Sequence, residues 1–263
     1  FSTLALIINT DIWTAAGLTD ADIPTDWDSL AAVTKTLTNT DHVGLAFGAE
    51  YQRVGTFMAQ AGGGLIVDGK AVANSDENVE ALSYVKSHLA DGTFAYAADI
   101  GAGWGGEALG KGLAAMVIEG NWITGAMTND FPTVNYKVVE LPAGPAGKGT
   151  LQFTNCLGMA ADSPNQQAAL ELVEYLTSTE QQLAFSKAFG PMPSIASAAD
   201  AWTAANPALS AFLTGADYAQ FPPNQAGSTD VIADFNAQLE SLKTGDPKAI
   251  LDSVQSNLQA VVG

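Results

Sequence analysis

Tryptophan set among glycines is the first chemistry this sequence offers. In GKGLAAMVIEGNWITGAM, residues 110–127, an apolar run from Leu113 to Ile118 breaks into Glu119-Gly120-Asn121, and Trp122 follows at once. Trp104 has similar surroundings in GAGWGG. A flat ring at the end of an element suits a sugar, whose C–H face stacks on it while its hydroxyls bond to nearby polar groups. Ordinary core packing is the alternative, and both readings stand open for Trp122 and Trp104 on these residues alone. Trp13 and Trp27 have apolar neighbours at helical spacing and are expected in the core. Trp202, in an alanine-rich, surface-looking stretch, is unassigned.

Other motifs fail on context. Gly101-x-Gly103-x-x-Gly106 has the letters of a dinucleotide fingerprint, but AYAADI before it is no buried strand, and no βαβ unit of the right size follows. Gly105-x-x-x-x-Gly110-Lys111 would be a phosphate loop if Gly112 were the hydroxyl residue that binds Mg²⁺. No G-x-S-x-G elbow is present. His42 and His88 are isolated, without ligand spacing, and read as solvated helix or loop positions. Cys156 is the only cysteine, which excludes an intrachain disulfide and a C-x-x-C site. No metal or cofactor is therefore expected. Acidic pairs such as Asp20/Asp22 and Asp26/Asp28 sit at helix starts, where carboxylates favour the helix dipole. A glycoside-active enzyme would need two carboxylates facing one cleft, with Glu50 or Glu119 offered as the acid.

Those residues need a folded frame, and the composition allows one. The chain has 263 residues, 47% of them hydrophobic and 14% charged, enough for one large domain or two lobes. A net charge of -18 with only 10 Lys and Arg excludes the basic face that a nucleic-acid partner requires. The same acidity keeps open a polyamine or other cationic ligand, and suits solubility in an extracellular medium. No apolar run is long enough to span a membrane. FSTLALIINTDIW reads as an interior strand rather than a signal peptide, so the chain is expected to begin in mid-protein.

Caps and periodicity place the helices. Thr25 with Asp28 resembles a capping box before the stripe Trp27, Leu30, Val33 and Leu37. Ser75 caps a helix carrying Val79, Leu82, Val85 and Leu89, closed by Gly92. Ser163-Pro164, Ser178 with Gln181, Asn206-Pro207, Ser228 and Asp246-Pro247 open five more. Strands are expected around 4–8, 43–47, 114–118, 136–140 and 153–160. The alternation predicts an α/β fold. PAGPAGKG, residues 142–149, has the composition of a linker.

NTDIWTAAGLTDADIPTDWDSLAAVTKTLT, GKGLAAMVIEGNW, LPAGPAGKG with CLGMAADSPNQQAALELVEYLTSTEQQ, and GPMPSIAS follow one another along the chain, and in that order they resemble the maltose-binding-protein-like group of extracellular solute-binding proteins of ABC importers (family 1, sugar-binding). NTDIWTAAGLTDADIPTDWDSLAAVTKTLT resembles that family's passage after its opening strand. GKGLAAMVIEGNW is similar to its "Gly-Lys-Ala-Ala-Met-x-x-x-Gly-x-Trp" signature. LPAGPAGKG and CLGMAADSPNQQAALELVEYLTSTEQQ resemble its interlobe crossing, strand and paired helices. GPMPSIAS resembles its "Gly-x-x-Pro" return.

The resemblance implies a two-lobe, type II periplasmic-binding-protein fold with ligand held between lobes, most of the first lobe lying outside this chain. Residues 1–141 and 191–263 would form the second lobe, and 149–190 an insert of the first, with the apolar faces of Leu170 and Val173 short of cover. It implies a non-enzymatic, monomeric importer subunit that captures a mono- or oligosaccharide and presents it to membrane permease subunits. The location would be periplasmic, or extracellular with a lipid anchor outside this chain. Trp122 falls where the family stacks an aromatic on a sugar. Glu50 and Tyr51 fall where it places cleft residues, though Glu50 reads equally as a solvated acid. Trp104 would line the cleft, and Phe153 and Asn155 would face the ligand from the other side. Near the end, where the family often carries another stacking aromatic, AQFPPNQAGSTD offers only Phe221, which argues against a long, fully stacked maltodextrin.

Overall fold

The computed structural model describes residues 1–262. Its strands are β1 (Ser2–Asn9), β2 (Val43–Phe47), β3 (Ile66–Val67), β4 (Lys70–Ala71), β5 (Phe94–Tyr96), β6 (Ala114–Gly120), β7 (Tyr136–Val139), β8 (Thr150–Phe153) and β9 (Ala219–Gln220). The helices are α1 (Thr10–Ala15), α2 (Trp27–Leu37), α3 (Tyr51–Gln60), α4 (Asp76–Asp91), α5 (Gly105–Gly110), α6 (Ile123–Asn129), α7 (Gln166–Leu176), α8 (Thr179–Phe189), α9 (Ala199–Ala205), α10 (Ser210–Gly215), α11 (Ser228–Leu239) and α12 (Pro247–Val262).

A strand apolar on both faces belongs in the middle of a sheet. β1 is such a strand, with every residue from Thr3 to Asn9 buried. It pairs antiparallel with β6, from Leu4↔Gly120 to Ile8↔Met116. Along its other edge β7 takes the C-terminal half, and β8 takes the start through Ser2↔Phe153. β2 lies parallel between β5 and β6, and β9 runs parallel to β8. Alternation then sorts the side chains. Leu4, Leu6, Ile8, Leu45, Phe47, Met116 and Ile118 join the apolar stripes of α2, α3, α4, α11 and α12. Ala5, Ile7, Ala46 and Val117 meet Leu109, Met127, Trp202 and Phe212 on the other face. The result is a sheet between two helical layers, each large side chain contributing roughly 1.5–3 kcal/mol on burial.

α7 and α8 stand apart. α7 buries no residue and α8 buries only Ser186, although both carry apolar stripes. Leu172, Tyr175, Phe185 and Phe189 are 53–69% exposed.

Most expected elements form, with shifts that have local causes. Asp26, not Thr25, caps α2, because its carboxylate accepts from Ser29 N–H while the Ser29 hydroxyl turns back to Asp26 N–H. Ser75 and Gly92 bound α4 as expected. α7 begins at Gln166, after Ser163-Pro164 has formed a turn. The strand expected at 153–160 lies instead at 150–153, because its pairing with β1 ends at Ser2↔Phe153. Residues 142–149 are no slack linker. Ala146 N–H bonds to Gln60 O, and Gln60 Nε2 bonds to Gly149 O. A Cβ at Gly144 or Gly149 would come within 2.6–2.7 Å of α3 backbone atoms, so only glycine allows this approach. Trp13 and Trp27 are core as expected, and Trp202 is too, at 2% exposure. His88 is not a solvated position. Its ring stacks on Phe94 at 4.7 Å and meets Tyr84 at 4.6 Å.

Candidate functional site

The parallel strands β2, β5 and β6 all end on one rim of the sheet, and ligands of open α/β sheets bind at such carboxyl ends. Because β1 runs the other way, its first residues reach the same rim. So does the end of β8, by the Ser2↔Phe153 pairing. Asn121, fully buried, donates from Nδ2 to Gly190 O and fixes the end of α8 there. A groove of about 700 Å³ opens between this rim and α7–α8. Trp122, Phe153, Thr154 and Asn155 line its sheet side, and Val173, Leu176, Gln181, Gln182, Phe185 and Phe189 its helical side.

Trp122 is half-buried, at the N-terminus of α6. Its ring folds back over Gly120, where any Cβ would overlap the six-membered ring. This is the physical content of the Gly-x-Trp pair: glycine at 120 makes room for the ring at 122. Phe153 meets the ring edge-on at 6.1 Å and 66°. The indole Nε1–H donates to Glu119 Oε2 at 3.0 Å. Arg53 Nη2 donates to that same oxygen at 2.7 Å, and the Arg53 guanidinium carbon lies 5.3 Å from the Trp122 ring centroid. Arg53 Nη1 pairs with Glu50 Oε1 at 2.9 Å. Glu119 is 1% exposed, and burial pushes its carboxyl above the ordinary range while Arg53 pulls it down.

The remaining expected residues divide. Phe153 and Asn155 line the groove with Trp122. Glu50 stands on the same rim, 40% exposed, tied to Arg53. Tyr51 lies elsewhere and corrects the expectation. Its side chain is 2% exposed and packs on Phe235 at 6.1 Å, and burial pushes its hydroxyl pKa up. The first turn of α3 turns that position into the core. Trp104 does not line the groove. Its ring lies over Gly106 and packs against the cluster of Leu109 and Met127. Phe221 follows β9, 62% exposed and outside the groove.

Sequence reasoning missed Arg53 and the glutamines of α8. Arg53 had a signal, since it is the only arginine in the chain. Among the described residues no group of three or more His, Cys, Asp or Glu could hold a metal ion. No helix there is long and apolar enough to cross a membrane.

Solved structures share this architecture. The ABC substrate-binding protein of Listeria monocytogenes, in complex with cycloalternan, superposes with a TM-score of 0.85 at 22% identity, covering 98% of this chain and 69% of its own. The sugar-binding protein MalE of Xanthomonas citri gives 0.83 at 18% identity, covering 99% and 69%. The GacH receptor of Streptomyces glaucescens, described with acarbose, gives 0.82 at 22% identity, again covering 99% and 69%. The fold is thus that of the two-lobed solute-binding proteins. A binding protein of Brucella abortus (strain 2308) is 24% identical over 273 residues, and the chain spans 66% of that relative's length. The family model of the bacterial extracellular solute-binding proteins matches residues 1–211, and the chain belongs to that family.

Proposed function

We propose that the protein captures a neutral mono- or oligosaccharide on Trp122 and hands it to the permease subunits of an ABC importer. The observation that carries this reading is the Trp122 ring, held over Gly120 at the sheet rim and lining a groove with Asn155 and Gln181 on its walls as hydrogen-bonding groups. An aromatic face with amides around it fits the alternating C–H and hydroxyl surfaces of a sugar. Relatives of this fold described with cycloalternan, acarbose and α-D-tagatose support the ligand class. In this reading residues 1–141 and 191–263 form one lobe, and 149–190 contribute to the other. Closure of the lobes over the ligand presents the permease surface.

The site geometry weighs against the alternatives. A polyamine would have to bring its positive charge beside the Arg53 guanidinium, which lies against the Trp122 ring and already holds the carboxylates of Glu50 and Glu119. Glu119, as acid of a glycosidase, would have to leave an ion pair at 1% exposure.

A thermal-shift panel on the full-length protein tests the proposal, with neutral mono- and oligosaccharides set beside polyamines. A ligand that binds the folded state raises the melting temperature by mass action. A shift with one glycan class is expected, without glycan products on long incubation. Trp122→Ala should then weaken that binding by about 1–3 kcal/mol. Shifts with amines alone would overturn the sugar reading.

A further inference from the structure

We infer that Arg53 is a positioning residue, which together with Glu119 fixes the Trp122 ring in its ligand-receiving orientation before any ligand arrives. The functional part of this inference rests on the sugar-capture reading, but the geometric part does not. Three contacts close a ring. Trp122 Nε1–H donates to Glu119 Oε2, Arg53 Nη2 donates to that same oxygen, and the guanidinium returns over the indole face. One constraint acts on the edge of the indole and another on its face, so neither rotation about the side chain nor tilting of the ring is left free. The charges are placed where they interact strongly. The Glu119 side chain is 1% exposed and that of Arg53 is 12%, so water screens them little.

The anchor is itself anchored. The second guanidinium nitrogen is held by Glu50 at 2.9 Å, and only a planar fork can reach two separate carboxylates while its face lies on an indole. Lysine has neither the fork nor the flat face. The chain's single arginine therefore stands at the one place in the molecule where both are used. Gly105 completes the arrangement, since a Cβ there would come within 2.7 Å of Glu119 Oε1 and push the carboxylate aside.

The test uses indole resonances and a double-mutant cycle on the full-length protein. Of the five tryptophan Nε1–H signals, that of Trp122 is the one lost in Trp122→Phe. Arg53→Gln, Arg53→Lys and Glu119→Gln should each shift that signal and leave the other four nearly in place. An unmoved Trp122 signal in all three overturns the inference, whether or not a sugar binds. For affinity, the probe is the oligosaccharide from maltose to maltotetraose, acarbose and cycloalternan that gives the largest thermal shift. Arg53→Gln should weaken it by about tenfold in the wild-type background and by less than about twofold in Trp122→Ala, because contacting residues couple and a positioning residue acts through its neighbour. Arg53→Lys should fail to rescue, although it keeps the charge. Equal losses in both backgrounds would mean that Arg53 meets the ligand itself, and would overturn the positioning role. If Arg53→Gln does not fold, Arg53→Lys and Glu119→Gln carry both measurements. If no sugar binds the wild type, the sugar-capture reading falls, while the indole shifts still decide the geometry.

Discussion

The sheet with its flanking helices and the α7–α8 pair are written in the same helical and strand grammar, yet they bury side chains very differently. In β1 an unbroken run from Thr3 to Asn9 is buried, whereas α7 buries nothing and α8 one serine. Both regions have apolar periodicity, so pattern alone does not decide burial. What decides it is the presence of a second surface to pack against, which the sheet supplies on both faces and α7–α8 finds only along the groove.

The sharpest way to break this contrast is mutation on each side of it. Phe47 is fully buried, with Phe57, Phe94 and Tyr96 within 5.8–5.9 Å, so Phe47→Ala should cost about 3–5 kcal/mol in chemical denaturation. Phe185→Ala, which removes the same ring at 53% exposure, should change stability by no more than about 0.5 kcal/mol. Comparable losses at the two sites would show that α7–α8 is as tightly packed as the sheet. Hydrogen exchange sharpens the same point. Amides of β1 and β6 should open only with global unfolding, and those of α7 and α8 through cheap local opening. Uniform protection across the chain would contradict this division.

Smaller effects probe the join. Gln60 accepts from Trp27 Nε1 at 2.7 Å and donates to Gly149 O, both buried, so Gln60→Ala should cost about 1–3 kcal/mol by leaving those partners unsatisfied. A loss below that range would mean residues 142–149 are held by their glycine contacts and backbone hydrogen bonds without the Gln60 side chain. The smallest effect is a pH slope. Burial, opposed by Asp91, holds His88 below its ordinary value of 6.5. A depressed pKa gives stability that is present above 6.5 and lost as pH falls through the lowered folded value. The melting temperature of the wild type should therefore fall more steeply in that acid range than that of His88→Asn. Parallel slopes would assign the effect to other groups.

Much of the frame was legible in the sequence because its signals are local. The Ser75 cap, the Gly92 stop and the Val43–Phe47 strand each follow from a few adjacent residues, and they formed where expected. α3 was missed because Tyr51–Gln60 opens without a side-chain cap and carries Gln52, Arg53, Gly55 and Thr56 in its first half, residues that are weak helix signals in sequence. The resemblance placed Tyr51 in the cleft, whereas the first turn of α3 points it at Phe235. Trp122 stood out because an aromatic at an element end is conspicuous, Phe153 was named through the family resemblance, and both line the groove. Arg53 and Glu119 were not seen as a pair because 66 residues separate them and only the sheet rim brings them together.

The pinned loop between β7 and β8 also says where this protein can bend. A crossing rich in proline and glycine suggests compliance, but here Gly144 and Gly149 are pressed to α3, and Ala146 and Gly149 are hydrogen-bonded to Gln60. A fulcrum needs torsions free of such contacts. The first stretch after the crossing that meets this condition is 154–159, beyond the last rung at Ser2↔Phe153 and before the turns that lead into α7. Leverage on α7–α8 is thus applied five residues downstream of the segment whose composition advertises it. The proline–glycine segment acts as the mounting, and the quieter one as the joint.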